Sequence, residues 1–275
     1  RCRISASRPA MAGAWVCGMG RLDQPSSLPQ GGTSSVMELD GVVFYGRLGH
    51  LALQMYGLDQ ELPTWRGARV LDCPGGPSSL AALLAAAGVE VVACDPLYAL
   101  SNEELRQRSI DDLNLSIAKS TTSSMLRPGF DLEQVRRHHL EGLEVFLADR
   151  LAHPERYVTA SLPELPFEAG RFDLVLSGHL LFSYAPVADG GLLLGAGLDL
   201  AWHRQALAEL CRVSRQQVRL YPGHTQSLPA KPHPYAEALL ADLPAPWHGG
   251  FAPRDYDQGF RGFTDGLQLS RLTWP

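Results

Sequence analysis

Two carboxylates bracket a glycine turn in this chain, and the spacing between them suits a ribose. The stretch 69–96 reads RVLDCPGGPSSLAALLAAAGVEVVACDP. Asp72 stands directly before Cys73-Pro74-Gly75-Gly76-Pro77, and Asp95 follows Gly76 at about the 20-residue distance from which an acid reaches ribose hydroxyls in nucleotide-binding βαβ units. The glycines admit positive φ and let a ligand approach the backbone without a Cβ in the way. A helix starting after the turn offers unpaired N–H groups to an anion or carboxylate. Asp72 repels a pyrophosphate and attracts positive charge, which disfavours a dinucleotide cofactor. The turn is also not G-x-G-x-x-G, because Pro74 occupies the place of its first glycine. These residues point to a ribose-bearing ligand carrying positive charge; an ordinary βα turn that binds nothing is the alternative.

The elements that must position these groups follow from the local pattern. Val70 and Leu71 form a short apolar strand ending at Asp72. Pro77 suits a first helical turn, Ser78 or Ser79 can cap it, and 80–87 is rich in Ala and Leu. Gly88 is placed to end that helix, and Val89–Cys94 reads as the next strand. Farther on, 172–177 reads as another strand, followed by Gly178-His179-Leu180-Leu181-Phe182-Ser183-Tyr184. Ligands of open α/β sheets sit beyond the carboxyl ends of the strands, so Ser177, Gly178 and His179 fall at the reaction face. His179 is a candidate general base, and Tyr184 a candidate lining residue of a substrate pocket. The alternative for His179 is to orient a cofactor or bond the backbone.

Four pieces in order resemble the class I S-adenosylmethionine (SAM)-dependent methyltransferases. VLDCPGGPS is similar to the family's first motif, an apolar strand followed by acid-x-Gly-x-Gly-x-Gly. YVTASLPELPF at 157–167 resembles V-x-G-D-x-x-x-L-P-F, RFDLVLS at 171–177 resembles the following F-D-x-V strand, and HRQALAELCRV at 203–213 resembles a helix ending in E-x-x-R-V. Pro74 and Ser78 depart from two motif glycines. Ser161 stands where many members carry an adenine-binding aspartate, a bond that a serine hydroxyl can also accept. The resemblance spans roughly 67–222. It implies an α/β fold with a seven-stranded, mostly parallel, doubly wound sheet containing one antiparallel strand and flanked by helices. It implies SAM as cofactor, held by Asp72, Cys73, Gly75, Gly76, Pro77, Asp95, Pro96, Ser161, Leu162 and Ser177. It also implies an N-terminal helix that lids the cofactor, with Tyr45 and Arg47 touching SAM and Arg47 meeting its carboxylate; packing for Tyr45 and a surface charge for Arg47 are the alternatives.

The remaining segments set the frame. A 275-residue chain that is 45% hydrophobic can bury a full core, so one domain over 37–275 is expected. Residues 1–36 read as a disordered or non-native leader, with a transit peptide as the alternative, because 1–22 holds four arginines and no acid. Leu48, Leu51, Met55 and Leu58 recur at helical spacing. Inserted helices are expected between the second and third strands, with 101–151 and 222–253 capping the substrate. Asp131 caps a helix bearing Leu132, Val135, His139, Leu143 and Phe146 on one face, while the run Arg136-Arg137-His138-His139 reads as a solvated face. Trp247, Phe251, Tyr256, Phe260 and Phe263 form either an apolar substrate wall or packing for the last strands, and 259–272 suits a terminal hairpin.

A net charge of −5 without a long basic run gives nucleic-acid binding little electrostatic support. Five cysteines without a CxxC pair suggest neither a zinc site nor a disulfide framework, so no metal is expected. Cys73, Cys94 and Cys211 read as small buried residues in a reducing compartment, hence a soluble, cytoplasmic protein. No run of 18 apolar residues suggests a membrane span. The resulting reading is methyl transfer to a small-molecule substrate, in an oligomeric state the sequence leaves open. The alternatives are a SAM- or nucleotide-binding module of the same fold without transfer, and a nucleotide-dependent oxidoreductase.

Overall fold

The computed structural model describes residues 37–195 and 197–272, and the leader reading of 1–36 lies outside the described residues. Seven strands are β1 (Arg69–Asp72), β2 (Glu90–Cys94), β3 (Tyr157–Val158), β4 (Phe172–Gly178), β5 (Ser214–Tyr221), β6 (Trp247–Ala252) and β7 (Gly266–Arg271). They form one sheet in the order β3-β2-β1-β4-β5-β7-β6. The pairs among β1 to β5 are parallel, and β7 runs antiparallel to both β5 and β6. This is the mostly parallel sheet with one antiparallel strand that the resemblance implies.

Among the described residues, six α-helices flank it: α1 (Gly49–Tyr56), α2 (Leu80–Ala86), α3 (Asn102–Thr122), α4 (Leu132–Ala152), α5 (Leu200–Val213) and α6 (Pro234–Ala241). Strand residues alternate between the two faces. Val70, Leu174 and Leu176 pack with Leu53, Leu84 and Phe146 from α1, α2 and α4. Leu71, Val175 and Val218 pack with Leu207 and Leu210 from α5. Both faces are covered, as a parallel sheet requires.

Capping groups fix where the helices begin. Asp131 accepts the Gln134 N–H at 2.8 Å, as its position suggested. Ser101 and Glu104 form a reciprocal capping box that starts α3. The long pair α3 and α4 is the expected insertion between the second and third strands. The segment 222–253 departs from expectation. Rather than an irregular cap, it builds α6 and the sheet strand β6. The terminal hairpin therefore pairs β6 with β7 across a long connection, instead of folding within 259–272.

The C-terminus of α1 is held by a buried arginine. Arg219 of β5 is 1% exposed. Its guanidinium donates to the Tyr56 and Gly57 carbonyls at 3.1 and 2.8 Å and pairs with Glu61. Removing the guanidinium strands the two carbonyls at the end of α1, whereas the half-exposed Glu61 turns to water. Arg219→Met is expected to lower the unfolding free energy in urea by about 2 kcal/mol, and an unchanged midpoint would contradict this role.

Candidate functional site

The connection entering α1 crosses the carboxyl edge of the sheet as a strap, residues 37–48. The Phe44 N–H donates to the buried Asp112 carboxylate of α3 at 2.6 Å. Leu39 exchanges backbone hydrogen bonds with Leu192 and Leu194 in the region after β4. At its far end the strap lies against the glycine turn. The Arg47 carbonyl accepts the Ser79 N–H at 3.1 Å and the Ser78 hydroxyl at 2.9 Å. A Cβ on Gly46 would fall 2.1 Å from the Pro77 carbonyl oxygen, so only glycine allows this approach.

The N-terminus of α2 is thus already engaged at two donors. The Ser79 N–H goes to Arg47, and the Leu80 N–H goes to the Ser78 hydroxyl at 3.2 Å. The expectation that these donors await an anion is corrected, because the chain's own oxygens satisfy them. The glycine turn is similarly engaged. Gly75 donates to the Cys94 carbonyl at 2.8 Å, and Gly76 to the Asp95 carboxylate at 3.2 Å. The Tyr98 hydroxyl donates to the Gly76 carbonyl at 2.8 Å.

Asp72, Cys73, Gly75, Gly76, Pro77, Asp95, Leu162 and Ser177 are buried together beyond β1, β2, β3 and β4, with Pro96 and Ser161 half-buried beside them. Asp72 and Asp95 are 3% and 6% exposed, and neither forms an ion pair among the described residues. Burial pushes Asp72 far above the usual carboxylate range, with the charge of Asp95 adding to the rise. Burial also pushes Asp95 up to about 6, against the lowering effect of the Leu97 and Gly76 N–H groups. Two buried acids without a cation make this edge of the sheet favourable to a positively charged ligand. Ser177 also offers a buried hydroxyl with no partner.

On the other side of the strap lies a cavity of about 340 Å³. His179, Tyr184, Tyr45 and Arg47 line it, whereas the residues at Asp72–Pro77, Asp95–Pro96, Ser161–Leu162 and Ser177 do not. The predicted site residues therefore separate into two groups divided by the strap. Arg47 belongs to both: its carbonyl faces α2 and its guanidinium faces the cavity.

The loop after β4 carries backbone strain at the cavity wall. His179 and Phe182 have φ of 54° and 66°, a region that side chains with a Cβ seldom adopt. Two contacts impose it. The His179 N–H donates to the Tyr221 carbonyl at 2.7 Å, and the Phe182 N–H donates to His203 Nε2 of α5 at 2.8 Å. His203 Nδ1 lies 2.8 Å from the Asp199 carbonyl, which fixes Nδ1 as the donor and Nε2 as the acceptor. Burial, followed by the charges of Arg47 and His224, holds the His179 imidazole well below its ordinary pKa. His179 Nε2 is buried without a partner. An imidazole held this low is a weak base, which takes a proton only from a strongly acidic group such as a freshly alkylated nucleophile. Burial also raises the Tyr184 hydroxyl, which accepts the Val43 N–H at 3.3 Å.

Sequence reasoning did not single out Ser183, Gln226 or Gln258, all of which line the cavity. No spacing pattern marks them. His139 had a signal. It falls on the apolar face of α4 by periodicity, and the structure follows that reading rather than the solvated run. It is 2% exposed, with Nε2 at 2.8 Å from the Ser109 hydroxyl and its ring 4.6 Å from Tyr45. From 101–151, the C-terminal part of α3 and the N-terminal part of α4 wall the cavity, whereas 222–253 contributes only Gln226. Of the late aromatics, Tyr256 and Phe260 line the cavity, and Phe251 and Phe263 pack edge to face at 5.0 Å.

The strand order, the single antiparallel strand and a cluster of acids beyond β1 and β2 are now in view. The fold is that of the class I methyltransferases. No family model matches the chain. A protein of Methanocaldococcus jannaschii described as uncharacterized protein MJ0045 is 22% identical over 192 residues, 68% of this chain and 80% of that protein. Among solved structures, the magnesium protoporphyrin IX methyltransferase of Synechocystis PCC 6803 with bound SAM is 15% identical, covers 82% of this chain and 80% of that one, and has a TM-score of 0.40. The 1,6-didemethyltoxoflavin-N1-methyltransferase of Burkholderia thailandensis with bound S-adenosylhomocysteine is 16% identical, covers 81% and 78%, and has a TM-score of 0.40. Likenesses this remote assign neither ligand nor activity. Among the described residues, no helix is long and apolar enough to cross a membrane.

The buried histidines give a measurable pH signature. His139 and His203 are each lowered by burial from 6.5 to about 4. Their folded pKa lies below the unfolded one, so the stability they contribute is complete above about pH 6.5 and is lost as pH falls toward 4. Denaturant midpoints are expected to drop across that window. The His203 ring protons, followed by NMR, are expected to titrate near 4; a midpoint near 6.5 would contradict its placement.

Proposed function

We propose that this protein is a SAM-dependent methyltransferase acting on a small molecule. The carrying observation is the pair of unpaired buried carboxylates, Asp72 and Asp95, beyond β1 and β2, beside a chamber lined by Arg47 and a neutral His179. SAM is a cation at sulfur with a ribose, so an acidic edge suits it where a pyrophosphate would be repelled. Asp95 keeps lone pairs for ribose hydroxyls beyond the two N–H groups it already accepts. Pro96, Ser161 and Leu162 stand beside it for the base, and Ser177 offers its free hydroxyl. Asp72, together with Cys73, Gly75, Gly76 and Pro77, forms the floor under the amino-acid part.

When bound, SAM supplies an electrophilic methyl whose C–S bond breaks as the substrate nucleophile bonds to carbon, leaving a neutral thioether. The protein's part is to align the nucleophile and exclude water. The His179 Nε2 receives the proton that the nucleophile loses, and Tyr184 closes the same wall. The strained loop and His203 hold both in place.

A second reading, a SAM- or nucleotide-binding module without transfer, draws on a specific observation. Gly75, Gly76, Ser79 and Leu80 already donate to the chain's own oxygens, and none of Asp72–Pro77 lines the cavity. Methyl release separates the two: a SAM-binding protein that methylates nothing across a broad substrate panel is the module. An oxidoreductase reading is disfavoured, because the buried acids Asp72 and Asp95 beside the turn oppose a pyrophosphate.

Calorimetry with SAM tests the proposal. Wild-type protein is expected to bind, and Asp95→Ala to weaken binding at least about tenfold by losing a charge-assisted bond of about 1.5–3 kcal/mol. The ionised carboxylate is the better acceptor and is present above its pKa of about 6. Affinity is therefore expected to fall about tenfold between pH 7 and pH 5. No binding at any pH, or binding indifferent to Asp95, would sink the proposal.

A further inference from the structure

Arg47 enters the chamber without a counter-charge. It is the one Arg or Lys among the described residues that line the cavity, and it forms no ion pair with any described acid. Its neighbours are neutral: the Tyr45 and Tyr256 ring centroids lie 5.1 and 5.7 Å from the guanidinium carbon, and the side chain donates to the Tyr256 hydroxyl. Its Nε is buried and donates to nothing. The two acids in the cavity wall are engaged elsewhere. Asp257 pairs with Arg127 and accepts the Gly259 N–H at 2.9 Å. Asp131 caps α4 and faces Arg137 at 3.8 Å. The charge of Arg47 also reaches the wall histidines, where it helps keep both His139 and His179 unprotonated.

A half-buried guanidinium without a carboxylate partner keeps donors for an anion, and it matches a carboxylate in shape and charge. The rest of the chamber is largely apolar, with Leu39, Ile117, Met125, Leu126, Leu192 and Phe260 on its walls. We propose that the chamber binds a small apolar carboxylate, with Arg47 receiving the carboxylate and the apolar walls its body. This rests on the chamber being the substrate side of the methyltransferase proposed above, and it moves the Arg47 guanidinium from the cofactor to the substrate. The geometry that favours the move is the strap. It turns the Arg47 carbonyl to the glycine turn and the guanidinium away from it, toward the cavity.

Three probes with one apolar body and different head groups test the proposal: 4-phenylbutyrate, 4-phenylbutanol and 4-phenylbutylamine, titrated into the full chain by calorimetry. SAM is titrated separately. Wild-type protein is expected to bind the acid at least about tenfold more tightly than the alcohol, and the amine most weakly. Arg47→Met is expected to erase the preference for the acid while SAM affinity stays within about twofold, and Arg47→Lys to restore part of it. Equal binding of the three probes by wild-type protein would overturn the proposal without any variant. So would an Arg47→Met protein that loses SAM and keeps the acid preference, because the guanidinium would then serve the cofactor. If wild-type protein binds the acid selectively but no SAM, the methyltransferase reading fails while the carboxylate site stands.

Discussion

The Arg47 carbonyl at the start of α2 is the contact on which the arrangement of this protein turns. By accepting from Ser78 and Ser79 it closes the helix N-terminus and pins the strap to the glycine turn. Gly46 makes that contact sterically feasible, and Asp112 holds the strap from the opposite side through Phe44. The strap borders both regions: its Gly46–Arg47 backbone lies on the glycine turn, and Val43, Tyr45 and Arg47 line the chamber.

The two sides of the strap differ in polarity. Asp72 and Asp95 are buried without an ion pair on one, and the half-buried Arg47 has no carboxylate partner on the other. A ligand of the opposite sign stabilises each. Tyr56 lies between them: burial raises its hydroxyl first, Asp72 raises it further and Arg47 opposes. A sulfonium nucleoside on the acidic side and an anion on the cationic side would complete the electrostatics of both.

The βαβ unit was legible in the sequence because each of its signals is local. Val70-Leu71, the alanine-rich helix, Gly88 and Val89–Cys94 need only their neighbours to be read, and the strand-end rule was enough to bring forward His179. What was hidden depends on distant chain. Whether the α2 N–H groups are free is decided by a carbonyl about 30 residues earlier, and nothing near Ser78 announces it. Strand β6 escaped notice because Gly249 and Gly250 weaken its β signal. At Gly249 a Cβ would lie 2.2 Å from the Gln268 carbonyl oxygen of β7, so the pairing itself demands glycine. The side of the strap that the Arg47 guanidinium faces is a tertiary fact, and the residue alone leaves both readings open.

The central claim is that the nucleoside lies against Asp95 while Arg47 serves the substrate, with the methyl meeting the substrate at His179, and a crystal structure grown with S-adenosylhomocysteine tests it most directly. The account predicts density for the nucleoside against Asp95, Pro96, Ser161 and Leu162, with the sulfur directed toward His179 and the Arg47 guanidinium still facing the chamber. Density for the nucleoside inside the chamber, or an Arg47 guanidinium turned onto the homocysteine carboxylate, would contradict it.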